Sequence, residues 1–104
     1  MINDARMIDM KLSKAQITEA AETVKAAYYL VNTDTQDWVP LTALRAELDG
    51  ILTREEADAG LVHLFRTGKF GLIAEVNRKS LTPEDRDAAV HAGGEDKHLI
   101  RRYL

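Results

Sequence analysis

Apolar residues recur every three or four positions through the first third of the chain, which predicts a long amphipathic helix over residues 13–32. Ser13 and Gln16 have the spacing of a capping box, so the helix is expected to begin at Lys14. Its apolar face would contain Ile17, Ala20, Ala21, Val24, Ala27, Tyr28 and Val31. Residues 1–12 mix acids and bases without a continuous apolar run, and we expect them to form a flexible N-terminus without a signal peptide.

The middle of the chain shows the pattern of two shorter helices after a polar loop. Trp38 and Val39 are expected to form a very short strand before Pro40. Leucines at three- and four-residue steps predict a second helix over residues 41–49, which Gly50 would end. A second capping box, Thr53 with Glu56, predicts a third helix over residues 54–67. Its buried stripe would be Ala57, Leu61, Leu64 and Phe65.

The last third alternates between strand and turn signals. Residues 69–76 have the alternating pattern of a strand, and residues 97–103 are expected to form a closing strand. Between them, Thr82 as a cap and Pro83 at the first helical position predict a short helix over residues 83–91. The stretch HAGGED is expected to form a turn. Antiparallel pairing would bring Lys69 near Arg101 and Arg102.

Composition limits the class of protein but does not identify its function. The 104 residues suit a single domain, and 45% apolar with 30% charged residues is the balance of an ordinary globular protein. The chain has no cysteine, which excludes disulfides and thiolate sites and is compatible with a reducing compartment. No segment approaches membrane-spanning length, so we expect a cytoplasmic protein that does not enter a membrane.

The order of elements and two sequence blocks resemble winged helix-turn-helix domains. The block WVPLTALRAELDGILTREEADAGLVHLFRTGKFGLI is similar to the centre of such domains in bacterial and phage regulators. The block NRKSLTPEDRDAAVHAGGEDKHLI resembles small actinobacterial and actinobacteriophage winged-helix proteins in which a short helix interrupts the wing. The resemblance implies an α+β fold with a three-helix core and a two-stranded antiparallel wing. It also implies a DNA-binding regulator, although fold alone does not assign function.

In a DNA-binding member of this class, the exposed face of the third helix enters the major groove and the wing contacts the DNA backbone. Basic residues in those places are therefore the candidates for contact with duplex DNA. They are Arg54, His63 and Arg66 on the third helix, Arg45 on the second, and Arg78 and Lys79 in the wing. Alternatively, Arg45 would form a surface ion pair with Glu47 or Asp49, and the wing bases would be solvating charge.

Acidic residues favour a second hypothesis, a winged-helix module that binds protein. The net charge is −3, and the third helix contains Glu55 and Asp58 on its outward face. These acids would be pressed toward phosphates in a DNA complex, or they simply complement the helix dipole. Apolar surface on the first helix, at Tyr28, Tyr29 and Leu30, is the candidate surface for a homodimer or a partner. Alternatively, Tyr29 and Leu30 pack under the wing or against Trp38.

Histidine and serine spacings do not predict a metal or catalytic site. His63, His91 and His98 form no i, i+4 pair and have no CxxC beside them, so no metal and no cofactor are expected. His98 is expected to be hydrogen-bonded inside the wing, close to the turn at Gly93 and Gly94. Neither a nucleophile elbow nor a phosphate-loop frame is present, so we do not expect an enzyme.

Overall fold

The computed structural model describes residues 12–32 and 38–103. The predictions for residues 1–11 and for the loop over residues 33–37 lie outside this part of the chain. In chain order the elements are α1 (Lys14–Val31), β1 (Val39–Pro40), α2 (Leu41–Leu48), α3 (Arg54–Arg66), β2 (Phe70–Ile73), a 3-10 turn (Arg78–Ser80), α4 (Pro83–Ala88), β3 (Val90–Ala92), β4 (Glu95–Lys97) and β5 (Leu99–Arg102). The architecture is α+β, as predicted, with helices packed on a small antiparallel sheet.

Local capping chemistry sets the helix starts where the sequence predicted them. The side chains of Ser13, Thr53 and Thr82 each accept a hydrogen bond from the backbone three residues later and complete reciprocal capping boxes. Gly50 and Gly68 follow α2 and α3 with φ of 80° and 81°, a left-handed conformation that glycine adopts without steric cost. The three predicted core helices are therefore confirmed to within one residue at each end.

The hydrophobic core lies where α1 crosses α2 and α3. The predicted apolar face of α1 is buried from Ala20 to Tyr28, and Leu44 and Leu61 are fully buried against it. Gly60 permits the close crossing of α1 and α3, because a Cβ there would lie 3.0 Å from the backbone of Ala20. The crossing therefore depends on a residue without a side chain.

The sheet has three strands, in the order β1-β5-β2, where the sequence predicted a two-stranded wing. Strand β5 pairs antiparallel with both neighbours, so that Ile100 lies opposite Val39 on one side and Leu72 on the other. The short strand predicted before α2 is present as β1, and it is the third strand of the sheet. Pro40 is tolerated there because β1 is an edge strand, where a missing amide costs no central hydrogen bond.

Residues 74–98, which connect β2 to β5, are called the insert. It contains α4, as predicted, but the helix ends at Ala88 instead of residue 91, and residues 90–92 form a strand. The stretch predicted as a simple turn is the centre of the hairpin β3-β4. The cause is the pair Gly93 and Gly94, whose φ values of 62° and 85° suit a two-residue hairpin turn. The predicted closing strand is therefore divided, with Lys97 in β4 and residues 99–102 in β5.

Tyr28, predicted as part of an exposed surface, is buried and only 1% exposed. Its hydroxyl accepts hydrogen bonds from the Asn32 side chain at 2.6 Å and from the Arg102 amide at 3.0 Å. Its burial confirms its place on the predicted apolar face and excludes it from the candidate dimer or partner surface, because the end of β5 lies against this side of α1. Tyr29 and Leu30 remain 43% and 69% exposed. Among the described helices, none is both long and apolar enough to cross a membrane.

Candidate functional site

Three sides of α3 are covered to different degrees. Its core side is buried against α1 and contains Ala57, Gly60, Leu61 and Leu64. A second side faces the insert, because the Lys97 ammonium lies 5.5 Å from the centre of the Phe65 ring and α3 contacts β3. The remaining strip consists of Glu55, Ala59, His63 and Arg66. The exposed face of α3 is therefore narrower than the sequence predicted, because the insert covers part of it.

Asp58 joins two arginines of the predicted DNA surface in a group that we call the arginine–aspartate cluster, Arg45, Arg54 and Asp58. The Arg45 Nη2 lies 2.6 Å from Asp58 Oδ1, and the Arg54 Nε lies 3.2 Å from the same oxygen. Both guanidinium groups also donate to the insert, Arg45 to the Ala88 carbonyl at 2.7 Å and Arg54 to the Ala89 carbonyl at 2.8 Å. The cluster thus fastens the insert to α2 and α3.

Burial and the charge of Asp58 shift the pKa of Arg45, whose side chain is 15% exposed, in opposite directions. Burial lowers the pKa of its guanidinium, and the hydrogen bond and charge of Asp58 oppose that shift. An arginine stays protonated in proteins, so the consequence is a partly buried cation that depends on its carboxylate partner. Arg45 pairs with Asp58 and not with Glu47 or Asp49, the partners suggested by the sequence.

A groove of about 430 Å³ lies between α3, the start of α1 and strand β3. Its apolar lining comes from Ile17, Ala59, Val62 and Val90. Its polar lining comes from Asp58, His63, Arg66 and His91. Two of the three histidines noted in the sequence therefore meet in this groove. Among the described residues, no side-chain hydrogen bond or ion pair involves His63 or Arg66.

A second pocket, of about 340 Å³, lies on the insert and is lined by Arg78, Leu81, Arg86, Asp96 and His98. We call it the insert pocket. His98 is 7% exposed, and its Nδ1 accepts a hydrogen bond from the Glu75 amide at 3.1 Å. His98 is therefore bonded beside the sheet as expected, but to the segment after β2 and not to the turn at Gly93 and Gly94. Arg78 and Lys79 are both exposed in the 3-10 turn.

The other basic residues lie at the opposite end of the sheet against aromatic rings. Antiparallel pairing brings Lys69 close to Arg102, as predicted, because the Tyr103 amide donates to the Lys69 carbonyl at 2.9 Å. The guanidinium carbons of Arg101 and Arg102 lie 5.9 Å and 5.8 Å from the ring centres of Trp38 and Tyr29. Tyr29 thus packs beside the end of the sheet, one of the two alternatives for this residue.

Several residues of these sites were not recognised in the sequence. The pairing of Arg54 with Asp58 had a local signal, because the two are four apart on one helix. The hairpin that brings Val90 and His91 to the groove also had a signal, a glycine pair between two alternating stretches. The partnership of Arg45 with Asp58 had none, because it depends on how α2 packs against α3.

Within residues 12–32 and 38–103, no group of three or more His, Asp or Glu side chains could hold a metal ion. The described residues form two cavities that a ligand can enter: the groove beside α3, with its apolar lining, and the arginine-lined insert pocket. In comparisons with known proteins, no family model, no curated protein and no solved structure matches this chain.

Proposed function

We propose that this chain is a winged-helix protein-interaction module that holds a segment of a partner protein in the groove beside α3. The order of three helices, a short strand before α2 and two later strands supports the winged-helix assignment, together with the sheet order β1-β5-β2. The resemblance of residues 38–100 to such domains also supports it. In this assignment α3 occupies the position of the recognition helix.

The groove is the observation that supports protein binding best. Its volume of about 430 Å³ is within the range of sites that hold a ligand or a few side chains. Apolar residues from three separate elements line it, so it depends on the tertiary fold and not on one helix surface. A partner side chain that enters it would bury apolar area, which is the main source of affinity in protein association.

The same geometry disfavours base reading by α3. Arg45 and Arg54, two of the six candidate DNA contacts, already donate to Asp58 and to carbonyls of the insert. A base contact would require these hydrogen bonds to break, and a partly buried carboxylate would lose its partners. The helix strip that stays accessible contains only His63 and Arg66 as donors, and it is bordered by α1 and β3.

The rim of the groove indicates the chemistry of the partner segment. Arg66 is cationic, and the imidazoles of His63 and His91 add ring nitrogens that can form hydrogen bonds. Asp58 is the only acid in the lining, and it is neutralised by two arginines. We propose a segment with an apolar anchor residue flanked by aspartate or glutamate, because these groups match the apolar lining and the basic rim.

A displayed library of random peptides tests this proposal with a matched pair of variants. Peptides selected on the wild-type protein should contain an apolar residue beside acidic ones. Ala59→Gln places a longer side chain in the groove and should weaken binding by about tenfold or more, a loss of at least ~1.4 kcal/mol. Ala26→Gln makes the same exchange at an exposed position of α1 outside the groove and should bind as the wild type does.

Charge reversal supplies the second arm of the test. Arg66→Glu should weaken the selected acidic peptides, whereas Glu84→Arg, on α4 outside the groove lining, should not. If selection enriches no peptide, or if Ala59→Gln and Ala26→Gln bind equally well, the groove is not a docking site and the proposal fails.

DNA binding stays a second candidate because of one further observation. Lys69, Arg101 and Arg102 lie together at one end of the sheet, where they could contact phosphates without any role for α3. Fluorescence polarisation with mixed duplex DNA at low salt tests this. Binding that weakens steeply with salt and is reduced in Arg102→Gln, but is unchanged in Ala59→Gln, would favour DNA over the groove. A cytoplasmic location and a homodimer through Tyr29 and Leu30 also stay predictions.

A further inference from the structure

We propose that the insert pocket binds a phosphate dianion, either free phosphate or a phosphate monoester, through Arg78, Arg86 and His98. This site is separate from the groove beside α3 and does not depend on the proposed protein partner. The pocket has a volume of about 340 Å³ and lies between the 3-10 turn, α4 and the residues that join β4 to β5.

The lining of the pocket contains two arginines, Arg78 and Arg86, against one carboxylate, Asp96. Asp96, the acid of this lining, accepts or shares a hydrogen bond with His91 at 3.0 Å, while outside the lining Glu95 pairs with Lys97 at 2.8 Å and Asp85 accepts from the Thr82 amide at 3.0 Å. Within the described residues, neither Arg78 nor Arg86 makes an ion pair or a side-chain hydrogen bond. Within this part of the chain, the donors of both guanidinium groups therefore have no protein acceptor.

His98 adds a donor with a defined orientation. Its Nδ1 accepts the Glu75 amide hydrogen, so the neutral imidazole must have its own hydrogen on Nε2. No acceptor for Nε2 is found among the described residues, and Nε2 is not one of their fully buried unpartnered atoms, so it retains contact with solvent although the residue as a whole is 7% exposed. A donor fixed in this way can donate to an oxyanion that replaces solvent in the pocket.

The electrostatic field near the pocket agrees with this assignment. The pKa of Glu95 is lowered, first by its hydrogen bond and charge contact with Lys97 and then by smaller contributions from Arg78 and His98. The charge of Arg78 therefore already favours the negative form of a nearby carboxylate. The same charge would favour an anion placed beside Arg78 in the pocket.

The donor set fits phosphate better than a carboxylate. Two guanidinium groups offer paired donors in a planar fork, and the imidazole supplies another donor from the protein interior. Phosphate presents three or more oxygens to such a set, whereas a carboxylate presents two. The pocket is also larger than a phosphate ion, which leaves room for the substituent of a monoester.

Nuclear magnetic resonance of the complete chain tests the site with inorganic phosphate as the probe. Phosphate is titrated at neutral pH and constant ionic strength while the His98 ring and arginine side-chain signals are followed. We expect saturable shifts of His98, and a Kd that rises by roughly tenfold in Arg78→Gln and in Arg86→Gln, because each removes charge-assisted hydrogen bonds. Both arginines are exposed, so the variants should fold, which the same spectra verify.

Lys79→Gln is the matched control, since it removes one positive charge beside Arg78 from a residue that does not line the pocket. Its Kd should equal that of the wild type. N-acetyl-phosphoserine amide distinguishes the source: tighter binding than inorganic phosphate assigns a monoester, and weaker binding assigns the free ion. The proposal is overturned if the His98 shifts do not saturate, or if acetate binds as tightly. The proposal is also overturned if Lys79→Gln raises the Kd for phosphate as much as the arginine variants do. An equal rise of the Kd for a DNA duplex in all three variants would overturn it as well.

Discussion

Asp58 holds two arginines against the insert, and its replacement by asparagine should loosen that contact. Asp58→Asn keeps the shape of the side chain but removes the negative charge. The Arg45 guanidinium, with a side chain 15% exposed, would then lose its charge-assisted hydrogen bond of 2.6 Å. Such a bond contributes about 1.5 to 3 kcal/mol, and the more exposed contact with Arg54 adds less than about 1 kcal/mol.

Asparagine can still accept one hydrogen bond, so we expect Asp58→Asn to lower the free energy of unfolding by about 2 kcal/mol. A small domain has roughly 5 to 15 kcal/mol of stability, so the variant should still fold. Urea unfolding followed by circular dichroism measures the change. With a slope of about 1 to 2 kcal/mol per molar urea, the midpoint should fall by roughly 1 to 2 M.

Glu55→Gln is the control, because Glu55 is an exposed acid in the first turn of the same helix and complements only the helix dipole. It should cost less than about 1 kcal/mol. Hydrogen exchange locates the effect: in Asp58→Asn, amides of Val90 and Lys97 in the hairpin should exchange faster, while amides of β5 change less. Equal losses of unfolding free energy in Asp58→Asn and Glu55→Gln would refute a special role for Asp58.

Three other substitutions or titrations test separate parts of the fold. Gly60→Ala should destabilise the protein by about 1 to 3 kcal/mol, because the new Cβ would crowd the backbone of α1. Helix propensity alone predicts the opposite, a stabilisation. A thermal unfolding midpoint that rises in Gly60→Ala would therefore contradict the crowding. Tyr28→Phe should cost about 1 to 3 kcal/mol in urea unfolding by leaving the Asn32 and Arg102 donors unpaired, and a cost no greater than that of Tyr29→Phe would contradict this. The pKa of Asp85 should lie below its ordinary 3.8, chiefly because the Thr82 amide donates a hydrogen bond to this carboxylate. The carboxylate's contribution to stability is therefore complete above pH 3.8 and is lost as pH falls through the lower pKa of the folded state. A pKa of 3.8 or higher for Asp85, measured by nuclear magnetic resonance, would contradict this prediction.

The helices could be predicted from the sequence because their boundaries depend on residues close together in the chain. Ser13 with Gln16 and Thr53 with Glu56 each determine a helix start within four residues, and the structure has both capping boxes. The apolar face of α1 followed in the same way from its helical period. These features require no knowledge of how distant segments pack.

The sites could be predicted only in part because they depend on contacts between distant segments. Tyr28 belongs to a helix face that the sequence identified, but the strand that contains Arg102 buries it. Arg45 and Asp58 are on different helices and meet only after α2 and α3 pack. Residues 90 and 91 were included in the predicted helix, and the hairpin that begins there was hidden by the strong helix signal of Thr82 and Pro83.

The acidity of α3 has a different meaning once these contacts are known. Glu56 completes the capping box and Asp58 binds two arginines, so two of the three acids of α3 have internal partners. Those acids therefore say little about a ligand, for or against DNA. The docking of the insert says more, because the same contacts that neutralise Arg45 and Arg54 also place Val90 and His91 beside α3. A base-reading helix needs an open face, and here that face has become one wall of a groove.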